Sequence, residues 1–213
     1  MRYGWLFSAF LLIVFSGIYW ERHRQRQASL PEITETNKRS EHKARFYGRL
    51  RQRAASLLQY ARAHQYNTHW GFCVDMAESS GRNRFHVIDF SGDSVWASGL
   101  VTHGSGSDRP GGRLYFSNQP NSHCTSLGRN AIGLSYQGDF GLAYKLKGLD
   151  STNSKAMERF VVLHAHDCVP EREVFPSDIC LSFGCPTVSP AFLQKIKPIL
   201  ASSQQPVLLW IYD

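Results

Sequence analysis

Beyond Tyr66 the chain consists of short apolar runs that are separated by Gly, Ser, Asn and Asp. Runs of about four to eight residues rich in β-branched and aromatic side chains are typical of β-strands. Strands are predicted at Phe72–Met76, Phe85–Phe90, Val95–Val101, Leu114–Phe116, Leu142–Leu146, Phe160–His164 and Val207–Ile211, and helices at Asn153–Glu158 and Pro190–Leu200. The pattern therefore predicts an α+β domain, predominantly β with few short helices, over residues 66–213.

The run from Tyr3 to Trp20 contains no charged residue and is rich in Leu, Phe, Ile and Val. As a helix it would be about 27 Å long, close to the hydrocarbon thickness of about 30 Å of a membrane. Aromatic residues stand near both ends, where membrane interfaces favour them. No small-residue cleavage site follows the run. We predict a transmembrane signal anchor over residues 1–21, with a cleaved signal peptide and a buried core helix as alternatives.

Residues 22–65 are predicted to form a basic linker followed by an amphipathic helix. The linker is polar and contains Pro31, a composition without core-building residues. Apolar residues then recur at helical spacing, which predicts a helix over residues 42–64 that either docks on the domain or spaces it from the membrane. They are Phe46, Leu50, Ala54, Leu57, Leu58 and Ala61.

The net charge of +7 comes from the N-terminal part of the chain. Residues 1–60 contain 11 Lys and Arg against 4 Asp and Glu, whereas residues 61–213 contain 13 of each class. A neutral folded domain has no electrostatic basis for binding nucleic acid, so we expect no nucleic-acid partner. The basic segment suits a membrane surface or an anionic polymer. Arg22, Arg24 and Arg26 directly follow the apolar run, and charge bias alone would therefore place the domain in the cytoplasm.

A cysteine follows a glycine near the end of the domain, at Gly184-Cys185-Pro186. The glycine permits a tight turn that would expose the sulfur, and the backbone N–H groups of Gly184 and Cys185 could then face a developing oxyanion, with Ser182 as a further donor. A thiol is mostly protonated at neutral pH, so a nucleophilic cysteine needs a base. The alternative is that Cys185 is a small buried residue in a glycine turn.

The candidate base is His164, which ends the predicted strand at Phe160–His164. An imidazole can accept the thiol proton, and the carbonyl of Ala165 or a neighbour could fix its tautomer. His166, two residues further along, is the rival base. A buried histidine without a catalytic role is the alternative for His164.

Five cysteines suit an oxidising compartment if one of them is the nucleophile. The other four, Cys73, Cys124, Cys168 and Cys180, allow three disulfide pairings, among which the sequence does not choose. A bond between Cys168 and Cys180 would close the loop that leads into the Cys185 turn. The alternative is that all of them are free thiols.

A series of short motifs in this order resembles the murein L,D-transpeptidase catalytic-domain family, in a divergent branch related to the YkuD type. The resemblance covers residues 68–213. It implies a β-sandwich domain in which Cys185 is the nucleophile, His164 the base and Ser182 the Ser or Thr of the nucleophile motif, while Phe183 replaces a second histidine of the better-known branch. The motifs are Val101–Gly104, Tyr115–Asn118, Thr125–Gly128, Tyr136–Gly141, Gly148-Leu149, Asn153, Arg159, Val162–His164 and Ser182–Pro186.

The resemblance also implies the reaction and its surroundings. Cys185 would form a thioester with a peptidoglycan stem peptide and pass it to an acceptor amine, in a 3-3 or 1-3 cross-link. The alternatives are an L,D-carboxypeptidase or amidase that uses the same cysteine, and an inert peptidoglycan-binding module. The domain would then lie in the periplasm, held at the bacterial inner membrane by the N-terminal helix, against the charge bias noted above.

Five residues are candidates for substrate binding. His103 would line the site, Ser126 and Gly128 would shape the turn opposite the cysteine, and Tyr136 is a weaker candidate. Arg159 could bind a substrate carboxylate through its planar guanidinium, or form a structural ion pair beneath the His164 strand. No Cys-x-x-Cys or His-x-x-x-His spacing occurs, so neither a metal nor another cofactor is expected.

Overall fold

The computed structural model describes residues 19–20 and 37–213. The predicted membrane anchor and most of the linker lie outside these residues. Within the described part, no helix is both long enough and apolar enough to cross a bilayer. The chain divides into two units, residues 1–49 and residues 50–213.

The first helix, α1, spans residues 37–63 and starts earlier than the predicted residue 42. From residue 50 onwards it belongs to the second unit and docks on the sheet. Leu50, Leu57 and Ala61 form its buried face, and the Arg53 guanidinium lies 5.0 Å from the ring of Trp210. The structure thus has a helix where the spacing of the apolar residues predicted one. From residue 50 onwards, this helix packs against the sheet.

Eight strands form one sheet in the order β3-β2-β1-β8-β4-β5-β6-β7. The pairs β1/β8 and β6/β7 are parallel and the other neighbours are antiparallel. The strands are β1 (Trp70–Asp75), β2 (Phe85–Asp89), β3 (Ser94–Gly99), β4 (Gly128–Gly138), β5 (Gly141–Gly148), β6 (Val162–Ala165), β7 (Thr187–Val188) and β8 (Leu208–Tyr212).

The sheet is nearly closed on itself. The chain that leaves β3 reaches the opposite edge, where Thr102 N–H donates to the Thr187 carbonyl at 3.0 Å. Gly104 and Ser182 form a parallel bridge beside this bond. The expected sandwich of two sheets is therefore replaced by one strongly curved sheet, and the closure places the segment around residue 103 next to the Cys185 turn.

The second helix, α2 (Pro190–Ser202), packs across the core. Ser189 caps it, since its Oγ accepts from the Phe192 N–H at 3.2 Å, and Pro190 occupies the first turn. The Phe192 ring lies 5.2 Å from the ring of Phe85. A methyl group on Gly99 would lie 2.7 Å from the Phe192 ring, so this glycine permits the close approach of helix and sheet.

Four elements differ between the prediction and the structure. β4 and β7 were not predicted. Residues 114–116 form no strand, although the Tyr115 N–H donates to the Ser107 carbonyl. Residues 153–158 form no α-helix; a 3-10 turn at Ser151–Asn153 continues into turns instead.

Candidate functional site

The Cys185 turn is held between the segment around residue 103 and strand β6. Gly184 has φ +109°, a conformation that strongly favours glycine. A methyl group on it would lie 2.7 Å from the Cys124 carbonyl oxygen and 3.1 Å from Arg159 Nη2. Both the backbone angle and the close packing therefore require glycine before the cysteine, as the sequence predicted for a tight turn.

Ser182 organises this turn with its hydroxyl. Its Oγ donates to the Cys185 carbonyl at 2.7 Å and accepts from the Gly184 N–H at 3.1 Å. Its backbone N–H donates to the His103 carbonyl at 2.9 Å. Because the Gly184 N–H is occupied by Ser182, the Cys185 N–H is the remaining backbone candidate for an oxyanion donor.

The sulfur of Cys185 lies against the start of β6 and is partly buried. The Val162 N–H donates to Sγ at 3.5 Å, and Sγ lies 3.8 Å from the Phe160 carbonyl oxygen. Burial raises the pKa of the Cys185 thiol, and the Val162 N–H and the charge of Arg159 oppose that rise. The resting sulfur is therefore a protonated thiol with two groups that favour its thiolate.

His164 lies on β6 opposite Thr187 of β7. Its Nδ1 lies 3.1 Å from the Ala165 carbonyl oxygen, which can only accept, so Nδ1 carries the proton. Its Nε2 then presents a lone pair, which accepts from the Thr187 hydroxyl at 3.0 Å. Burial lowers the pKa of His164, the bond to Ala165 partly offsets this, and His166 lowers it further. The ring is a neutral base with its basic nitrogen fixed.

No hydrogen bond joins the Cys185 thiol to the His164 imidazole in the described part of the chain. Among the described residues, the bonds of Sγ go to the backbone of Phe160 and Val162, and those of the His164 ring go to Ala165 and Thr187. Thr187 Oγ1 also lies 3.5 Å from the Cys185 carbonyl oxygen, so it links the imidazole to the backbone of Cys185 and not to its sulfur.

His166, the rival base, is exposed, and its Nδ1 accepts from the Cys168 N–H at 3.1 Å.

The candidate substrate residues divide into several groups. Tyr136 pairs with Ala143, which pairs with His164, so all three side chains lie in one row on the same face of the sheet. Gly128, with φ +133°, lies instead against Asn153 at the start of β4. Ser126 is buried two residues earlier.

His103 is buried, and its Nδ1 accepts from Arg84 Nη2 at 3.0 Å. Its ring lines a cavity of about 700 Å³, together with Leu181 and Asp178. Cys185 does not line this cavity. The contribution of His103 to the Cys185 turn is its carbonyl, which accepts from Ser182.

Arg159 contacts the loop that covers the turn. Its Nη1 donates to the Ser117 carbonyl at 3.0 Å and its Nη2 to the Cys124 carbonyl at 2.5 Å. The alternative of an ion pair beneath β6 is replaced by these two carbonyl bonds.

Two side chains at the site were not predicted from the sequence. The Phe140 ring stacks on His164 with centroids 5.1 Å apart, although 61% of Phe140 is exposed. The signal for it is an aromatic residue in the turn Gly138–Gly141 between two strands. Thr187 stands two residues after Cys185, and its contact with His164 requires the pairing of β6 with β7, which the sequence does not display.

The structure contains one disulfide among the described residues, between Cys168 and Cys180. Cys73 and Cys124 are buried free thiols, and burial raises the pKa of Cys73 to about 12. The disulfide closes the loop that ends immediately before Leu181 and the Cys185 turn. Among the described residues, no group of three His, Cys, Asp or Glu side chains is arranged to hold a metal ion.

Comparison with known proteins gives a family model that covers most of the chain. The model of the L,D-transpeptidase catalytic domain, YkuD_2, matches residues 42–212. No curated protein matches the chain.

Solved structures match with low identity. The L,D-transpeptidase from Xylanimonas cellulosilytica DSM 15894 is 14% identical, with 72% of this chain and 68% of that chain covered and a TM-score of 0.37. Bd1075 from Bdellovibrio bacteriovorus is 16% identical, with 70% and 49% covered and a TM-score of 0.43. An L,D-transpeptidase from Mycobacterium tuberculosis H37Rv is 11% identical, with 68% and 58% covered and a TM-score of 0.35. The chain thus spans about half the length of Bd1075.

Proposed function

This chain belongs to the L,D-transpeptidase catalytic domain family, and from that premise we propose that it is a peptidoglycan L,D-transpeptidase with Cys185 as nucleophile and His164 as base. The observation that carries the proposal is the geometry of one turn. A glycine at φ +109° presents a cysteine beside a strand whose histidine holds its proton on Nδ1 and its lone pair on Nε2. This arrangement suits a general base acting on a thiol.

In the first step, Cys185 Sγ attacks the carbonyl carbon of the L-centre of a diaminopimelate-type residue in a stem peptide. The thiol proton passes to His164 Nε2. The bond to the adjacent D-amino acid breaks, and its amine leaves with the proton from His164. In the second step, the amine of another stem attacks the thioester, a peptide bond forms, and the proton returns to the sulfur.

The Thr187 hydroxyl controls when His164 can accept a proton. It has two acceptors, His164 Nε2 at 3.0 Å and the Cys185 carbonyl oxygen at 3.5 Å. When this hydroxyl turns away from the ring, Nε2 is free to accept the thiol proton. Because burial raises the pKa of Cys185 and lowers that of His164, both groups are neutral before the reaction starts.

Acylation by a carbapenem tests the nucleophile. The purified full-length chain is incubated with the drug, and its intact mass is measured. We expect one adduct on the wild type and on Cys124→Ala, and no adduct on Cys185→Ala. His164→Ala should slow acylation by about 10²-fold or more, the usual contribution of a general base. An unmodified wild type, or an adduct that persists on Cys185→Ala, rejects the proposal.

Product analysis with a tetrapeptide muropeptide then separates the possible fates of the thioester. Cross-linked dimers identify transpeptidation and show the 3-3 or 1-3 register, whereas trimmed monomers identify an L,D-carboxypeptidase or amidase. Muropeptide binding without turnover, unchanged in Cys185→Ala, would identify an inert binding module.

We also propose that the folded domain is periplasmic and is held at the inner membrane by residues 1–21. The disulfide between Cys168 and Cys180 supports an oxidising compartment, and the uncharged run Tyr3–Trp20 supports an anchor. The arginines after the run oppose this orientation. A C-terminal alkaline phosphatase fusion should be active and a C-terminal green fluorescent protein fusion dark. The reverse pattern would place the domain in the cytoplasm, away from peptidoglycan.

A further inference from the structure

The guanidinium of Arg159 lies against the nucleophile turn and is held there by backbone atoms. Two carbonyls, of Ser117 and Cys124, accept from its Nη1 and Nη2. Its Nη2 lies 3.1 Å from the position that a methyl group on Gly184 would occupy. Neither carbonyl is an anion, so the positive charge of the guanidinium is not neutralised by these partners.

Several titratable side chains stand on the elements packed around the turn. His164 projects from β6, His103 precedes the bridge to Ser182, and His123 packs its ring 4.8 Å from the ring of Phe183. Cys124 is buried in the loop that Arg159 contacts. Arg159 is the one among the described residues at this turn that carries a permanent positive charge.

Apart from Arg159, the group that favours ionisation of the sulfur is one backbone N–H. This hydrogen-bond donor is the Val162 N–H, at an N to S distance of 3.5 Å. The pKa of the Cys185 thiol is raised by burial and is lowered by the Val162 N–H and by Arg159. Burial in turn lowers the pKa of Arg159, and Cys124 and Cys185 raise it. The effects of Arg159 and Cys185 on each other are those of a cation near a potential anion.

We propose that Arg159 is the residue that stabilises the Cys185 thiolate, as a fixed cation held against the turn by the Ser117 and Cys124 carbonyls. His164 takes the proton, and Arg159 compensates the negative charge left on the sulfur. This assigns Arg159 to the nucleophile instead of to a substrate carboxylate. The role concerns the ionisation of the free thiol, so it can be measured without any peptidoglycan substrate and independently of the acyl-transfer reaction.

The test is the pH dependence of alkylation of Cys185 by iodoacetamide in the full-length chain, with the labelled peptide quantified by mass spectrometry. In Arg159→Gln, alkylation at pH 7 should be about tenfold slower and the midpoint of the pH profile should move upward, because tenfold corresponds to one pKa unit. Arg159→Lys keeps the charge and should stay closer to the wild type.

Asn118→Ala is the matched control for the loop. Asn118 ties the same loop to residues 151–155, with Nδ2 donating to the Ser151 carbonyl at 3.2 Å and to Ser154 Oγ at 3.1 Å. Its removal loosens the loop and leaves the charge in place, so the pH profile should be unchanged. A wild-type profile in Arg159→Gln, or an equal shift in Asn118→Ala, overturns the proposal.

A second measurement needs no variant and covers the case in which Arg159→Gln does not fold. Iodoacetate carries a negative charge and iodoacetamide does not. A guanidinium beside the sulfur should raise the ratio of their alkylation rates at Cys185 at least about threefold above the ratio for glutathione at the same salt concentration. A ratio equal to or below that of glutathione overturns the proposal.

Discussion

Gly184 is the residue on which the geometry of the Cys185 turn depends. Its φ of +109° is unfavourable for any other residue, and an added methyl group would lie 2.7 Å from the Cys124 carbonyl oxygen. Gly184→Ala should therefore lower the free energy of unfolding by more than the backbone strain of about 1–3 kcal/mol. It should also displace Cys185 and reduce carbapenem acylation at least about tenfold. Thermal unfolding and intact-mass kinetics measure the two effects.

Gly111→Ala separates the backbone strain from the steric contact. Gly111 has φ +110°, and a methyl group on it would meet nothing within 4 Å. This variant should lose only the backbone part of the stability and keep the acylation rate of the wild type. Equal stability losses in the two variants would mean that the contact with Cys124 does not constrain the turn.

The sequence identified candidate residues of the site but not all of the contacts that they make. His164, Cys185 and the glycine before the cysteine were visible in the sequence, because an imidazole, a thiol and a residue that permits a tight turn have known properties. Thr187 was not, because its contact with His164 Nε2 exists only once β6 pairs with β7. The carbonyl partners of Arg159 were equally hidden, since every residue has a carbonyl and only the fold selects two of them.

Elements with a uniform environment were predictable, and elements that change environment were not. α2 carries its own cap and Pro190, and its observed bounds agree with the prediction to within two residues at its end. β4 changes from a buried half that lies between β5 and β8 to an exposed half at Gly133–Gln137. Neither a continuous apolar run nor an alternation of period two results, so the longest strand gives no strand signal.

The architecture of the sheet as a whole could not be predicted from the sequence. The short apolar runs predicted strands but not their order, and both a sandwich and one curved sheet bury such runs equally well. The closure depends on the bond from Thr102 to Thr187 of β7 and on the bridge between Gly104 and Ser182, and these segments have little strand character in the sequence. Since the Cys185 turn lies at this closure, the site is a product of the whole molecule more than of any one element.

The whole molecule should be sensitive to mild acid because of histidines buried inside it. Burial lowers the pKa of His86 to about 4. Burial, followed by the charge of Arg84, also lowers that of His103 to about 4. In the unfolded chain both have a pKa of about 6.5, so between these values the unfolded state binds more protons than the folded state. The free energy of unfolding must therefore fall as the pH decreases from 6.5 toward 4, and the contribution of these groups is fully present only above pH 6.5.

At pH 5 each of the two histidines should lower the free energy of unfolding by about 2 kcal/mol relative to pH 7. Urea unfolding of the disulfide-intact chain at the two pH values measures the difference. His103→Gln should be less stable at pH 7, because Arg84 loses its ring partner, yet it should lose less stability between pH 7 and pH 5. His64→Gln changes an exposed histidine and should keep the full pH dependence. If His103→Gln retains the wild-type difference between the two pH values, the buried ring of His103 is not a source of the acid sensitivity.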